Sequence, residues 1–149
     1  MVTTQQAGLA PGQAEAIRDA LERVEQRIDA ACERAGRERA EVRLLPVTKT
    51  VEPARIEVAI DAGYRTFGEN RVQEALPKHD ALAGRGLAWH MIGHLQRNKV
   101  KQALAFAACI ESVDRARLVD RIADQLAEAG ERRSVLLQVA DHSVTALTG

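Results

Sequence analysis

Lys49 ends the stretch Val42-Arg-Leu-Leu-Pro-Val-Thr-Lys49, where a strand-like apolar run gives way to a helix. An amine on the exit turn of a strand can form a Schiff base with an aldehyde when its environment favours the neutral form. Strand alternation puts Arg43, Leu45, Val47 and Lys49 on one face, and Val42, Leu44, Pro46 and Thr48 on the other. Both faces are largely apolar, as in a parallel strand covered on both sides, a setting in which a lysine can be partly desolvated. The plain alternative is a lysine that reaches solvent or pairs with an acid such as Glu69.

Two further strand exits carry polar groups. In Phe67-Gly-Glu-Asn70 a glycine turn is expected to precede a helix start. Its free N–H groups and short side chains suit an anionic or polar ligand, or else Asn70 and Glu69 simply cap the helix. In Trp89-His-Met-Ile-Gly-His94 two histidines are spaced i, i+4. Gly93 and a strand end intervene, and neither an HExxH pattern nor a third ligand accompanies them, so no metal site is expected. His90 reads either as a partner for a ring ligand or as a histidine satisfied within the fold.

These residues need elements to hold them. Residues 1–12 read as a small, polar lead-in. Ile17, Leu21, Val24, Ile28 and Ala31 then recur at helical spacing, predicting an amphipathic helix from Gln13 to about Arg34. After the Val42–Thr48 strand, Pro53 opens a helix that Gly63 stops. Strands follow at 64–67, 87–92, 106–110 and 135–139. The intervening helices lie at about 69–82, 95–104 and 114–130, the last capped by Asp114 and ended by Gly130. Strands alternating with helices predict parallel βαβ units. Pro46 has no N–H for a ladder and suits an edge position.

The chain has 149 residues, with 21 basic and 21 acidic side chains in no long block. That balance argues against a nucleic-acid surface, and no apolar run approaches the roughly 20 residues of a membrane span. With no charged-then-apolar leader, a cytoplasmic location is expected. Cys32 and Cys109 sit far apart in apolar segments and read as buried free thiols.

Three segments together resemble one family, the pyridoxal phosphate homeostasis proteins: Leu45-Pro-Val-Thr-Lys-Thr50, Phe67-Gly-Glu-Asn-Arg-Val-Gln-Glu74 and Trp89-His-Met-Ile-Gly-His-Leu-Gln-Arg-Asn-Lys99. Glu111-Ser-Val-Asp114 looks like the family's fourth strand exit. The resemblance implies an α/β fold, a pyridoxal 5'-phosphate-binding TIM-type barrel similar to the N-terminal domain of alanine racemases. It makes Lys49 the Schiff-base lysine, puts Asn70 and His90 near the cofactor, and implies a homeostasis role without catalytic residues.

The resemblance stops after strand five. Residues 13–149 are therefore expected to form an incomplete barrel: an N-terminal helix and about five parallel β/α units, against eight in a closed barrel. The family's later segments, expected to grip the phosphate and face the pyridine nitrogen, have no counterpart, and Ala140-Asp-His-Ser143 departs from the pattern. Open sheet edges invite self-association or completion by a C-terminal fragment. Racemase chemistry is not expected, because the one tyrosine, Tyr64, begins strand two, away from the exits.

Overall fold

A computed structural model describes residues 8–139. The chain folds as an α/β unit with a parallel sheet. Helices α1 (Gln13–Ala35) and α2 (Pro53–Asp61) precede strand β1 (Thr66–Glu69), and then α3 (Val72–Ala81), β2 (Ala88–Met91) and α4 (Val100–Phe106) alternate. Strand β3 (Ala107–Val113), α5 (Ala116–Ala129) and β4 (Ser134–Leu137) complete the described order. The strands pair in chain order, all parallel. The expected fifth unit is present in weaker form. Segment 42–48 joins the β1 edge through a single bridge, Val47 to Gly68, with Gly68 N–H donating to Pro46 O and Thr48 N–H to Gly68 O, both at 2.9 Å. Pro46 accordingly lies on the edge, where its missing N–H costs no ladder bond.

Local chemistry explains most boundaries. Pro53 occupies the first turn of α2, and Gly130 closes α5 in the left-handed conformation at φ 66°. Three boundaries differ from the sequence expectation. Glu69 and Asn70 do not begin α3, because Phe67-Gly-Glu is strand and the helix starts at Val72. Asp114 does not cap α5, whose cap position is Arg115 without a side-chain bond. The helix expected over 95–104 is a 3₁₀ turn at Arg97–Lys99 followed by α4, which takes in Phe106. The expected tail after β4 falls at 140–149, outside the described residues.

The core lies on one side of the sheet, under α2 to α5. Phe67, Trp89, Met91, Ile110 and Val113 from the strands meet Ile56, Ile60, Val100, Leu118 and Ile122 from the helices, and the Phe67 and Trp89 rings meet at a tilt of 41° with centroids 5.7 Å apart. The opposite sheet face differs from the expectation of two covered faces: Val47 is 44% exposed. A barrel interior is covered by its own opposing strands, and the described strands supply none. β4, at the other edge, is exposed on both faces: Leu136 lies on the side away from the core, whereas Val135 and Leu137 stand beside the core-facing Ile110 and Val113 with no described helix over them. Along α1 only Cys32 is buried, and Val24 and Ala31 face solvent. The helix rests on α2 through a narrow strip rather than the full predicted face.

Candidate functional site

Parallel register lines up one row across the sheet. Val47 stands opposite Gly68, Gly68 opposite His90, and His90 opposite Cys109. Lys49 and Asn70 each follow that row by two residues at the exit end. His90 is thus two inter-strand spacings from the lysine segment, about 10 Å across the sheet.

Lys49 itself is exposed, the solvent-reaching alternative rather than the partly desolvated one. Val47, two residues earlier on the same side at the sheet edge, is exposed as well. Lys49 does not pair with Glu69. Among the described residues its amine has no hydrogen bond or ion pair. The backbone beneath it is tightly held. Val51 N–H donates to Thr48 O at 3.0 Å, closing a turn whose central residues are Lys49 and Thr50. Thr50 has φ 61°, the left-handed conformation that β-branched side chains resist.

Thr48, unlike its neighbour, is buried and gripped. Its hydroxyl donates to Glu69 Oε1 at 2.6 Å, and Lys78 Nζ donates to Thr48 O at 2.6 Å and to Glu69 Oε1 at 2.7 Å. The Glu69 side chain is 0% exposed and that of Lys78 is 11% exposed. The sequence reading missed this ion pair, although the signal was there. Glu69 alternates with Phe67 on the core-facing side of β1, and Lys78 falls on the apolar stripe of Val72 and Ala75 in α3, continued by Leu82 just past its end. Opposite charges at two core positions point to each other, because a lone buried charge is costly.

Asn70 makes no cap to α3. Its backbone supports Gly93 instead: a Cβ at Gly93 would lie 2.2 Å from Asn70 O. With Arg71, His94, Gln96 and Lys99, Asn70 also lines a cleft of about 430 Å³ between the β1 and β2 exits.

His90 Nδ1 lies 2.5 Å from Glu111 Oε1, with both side chains about three-quarters buried or more. Cys109 joins them, the three sets of ligand-type atoms lying within 4.8 Å of one another. This is a grouping that the sequence reading did not foresee, and it excludes His94, which is exposed near Asp114 and Arg115. Ligands of one tetrahedral zinc stand about 3.3 Å apart, so the closer His90–Glu111 contact is a hydrogen bond. Burial, reinforced by the Glu111 charge, pushes the Cys109 thiol above its ordinary pKa. Cys32 and Cys109 are both free and buried, as expected.

Tyr64 lies at the opposite end of the strands. Its hydroxyl donates to Glu25 Oε1 of α1 at 2.7 Å, and Arg39 binds Glu25 and Asp29 beside it.

No protein-family model matches the chain. It is 44% identical over 119 residues to a protein of Aquifex aeolicus and 40% identical over 122 residues to one of Escherichia coli. Both are named pyridoxal phosphate homeostasis protein, and each match takes in 80% of this chain and 52% of the relative. A crystal structure of an unknown protein from Bifidobacterium adolescentis superposes with TM-score 0.81 at 38% identity, covering 92% of this chain and 61% of the other. PipY of Synechococcus elongatus, solved with pyridoxal phosphate bound, superposes with TM-score 0.67 at 36% identity, covering 76% of this chain and 54% of PipY. By sequence and by fold the chain is similar to the pyridoxal phosphate homeostasis proteins, and it spans about half the length of the curated relatives it matches.

Proposed function

We propose that this chain binds pyridoxal 5'-phosphate through a Schiff base on Lys49 and serves vitamin B6 homeostasis rather than catalysis. The observation that carries the reading is an exposed, unpartnered lysine on a turn held from below, at the exit end of a parallel sheet. The donor set fits the aldehyde half of the cofactor, since among the described residues no acid pairs with the amine. Asn70 and His90 lie at the same end of the sheet and would flank the ring, with His90 oriented by Glu111.

Incubation with excess pyridoxal phosphate, borohydride reduction and peptide mapping tests the reading. The chain has four lysines, Lys49, Lys78, Lys99 and Lys101. Label is expected chiefly on Lys49, with the visible absorbance band lost in Lys49→Ala. Labelling spread evenly over the exposed lysines would overturn it. Racemase activity is not part of the reading. The tyrosine that a two-base mechanism would need is tied to Glu25 at the far end of the strands, and L-alanine is expected to yield no D-alanine.

A second reading draws on the exposed β4 strand, where Leu137 is 67% and Leu136 54% exposed. In it, residues 13–149 form one incomplete barrel domain after a 1–12 lead-in, and β4 pairs with a second copy or a complementary fragment. Light scattering on the purified chain decides, because a stable monomer at high concentration rules out self-association. A cytoplasmic setting suits two free buried thiols; fractionation of cells expressing the chain checks it.

A further inference from the structure

The turn that presents Lys49 carries a conformational cost with no visible local support. Lys49 and Thr50 are both exposed, so neither packs the turn in place. The second central residue has φ 61°, a position that such turns usually give to glycine or asparagine. A β-branched residue stays there only when its surroundings over-determine it. The restraint comes from Thr48, the buried end of the turn. Its carbonyl accepts from Val51 N–H and Lys78 Nζ, its hydroxyl donates to Glu69, and its N–H donates to Gly68 O. Lys78 and Glu69 are themselves paired, so one buried unit grips both the backbone and the side chain of Thr48.

We propose that Glu69 and Lys78 are positioning residues for Lys49: their buried ion pair clamps Thr48 and holds the strained turn that aims the amine. The inference rests on the reading that Lys49 takes the aldehyde. Neither residue touches the cofactor in this scheme. Glu69 Oε2 has no partner among the described residues. The carboxylate's contacts to Thr48 and Lys78 all run through Oε1.

The test compares Lys49 with Lys101, an exposed lysine on α4 that the clamp does not reach. Each chain is treated with pyridoxal phosphate and borohydride below its melting temperature, and the Lys49:Lys101 label ratio is read by mass spectrometry. Thr48→Val removes the hydroxyl bond while keeping the side-chain volume, and Thr50→Gly removes the strain. Lys78→Met breaks the ion pair, and Ile122→Val in the remote core controls for lost stability. The label ratio is expected to fall about tenfold in Thr48→Val, the scale of one lost hydrogen bond to a charged group. It should fall further in Lys78→Met and remain unchanged in Ile122→Val. Amide exchange at Val51, read without cofactor, should accelerate in step. If Lys78→Met does not fold, Thr48→Val and Thr50→Gly decide. A wild-type ratio near one overturns the parent reading and this inference with it. A high wild-type ratio that the clamp variants leave intact, or that Ile122→Val lowers equally, overturns the positioning role alone.

Discussion

Tyr64 donates its phenol hydrogen to Glu25 Oε1 across 2.7 Å, joining the loop before β1 to the middle of α1. Burial, then the hydrogen bond and charge of Glu25, push the Tyr64 hydroxyl from its ordinary value of 10.0 up to about 12. The folded state therefore keeps a proton that the unfolded chain releases. The stabilisation is complete below pH 10 and is lost as pH rises toward 12. Thermal unfolding of the wild type and Tyr64→Phe between pH 8 and about 12 checks the sign. Their difference should change across that window, with the wild type losing more stability at the alkaline end.

The Glu69–Lys78 pair predicts an asymmetry between single and double substitutions. Lys78→Met alone leaves a carboxylate with 0% side-chain exposure and no countercharge. It should cost about 3–5 kcal/mol in chemical denaturation. Adding Glu69→Leu removes the stranded charge and should recover most of that loss, because an apolar pair of similar volume fits the surrounding core. Additive losses in the double variant would show that the pair is not an energetic unit.

Two glycines in the sheet region should respond differently to alanine. At Gly93 a Cβ would meet backbone, 2.2 Å from Asn70 O and 2.7 Å from Asn70 Cα, so the β1 and β2 exits must separate. Gly93→Ala should cost about 3 kcal/mol, near the upper end for overpacking. At Gly68 the nearest atoms are side-chain tips, Ile92 Cδ1 at 3.1 Å and Leu45 Cδ2 at 3.4 Å. Those tips can yield on the uncovered face, and Gly68→Ala should cost about 1 kcal/mol. Urea midpoints of the two variants measure the contrast.

Local rules determined the order of elements in this chain and the places where several begin and end. Periodicity marked α1, Pro53 started α2 and Gly130 stopped α5, because each depends only on neighbours along the backbone. The sequence also carried the motifs that place Lys49, Asn70 and His90 at strand exits, and through them the resemblance to the family. What surrounds those residues was decided only by the tertiary structure. The exposure of Lys49 depends on what packs against the sheet edge it follows, which alternation along one strand does not reveal. The pairing of Glu69 with Lys78, rather than with Lys49, depends on how α3 crosses behind β1. His90 finds Glu111 through the parallel register of β2 and β3, across 21 residues of chain. Element type follows from short-range backbone and side-chain preferences. The partner of a charged side chain follows from which faces the folded sheet and helices bring together.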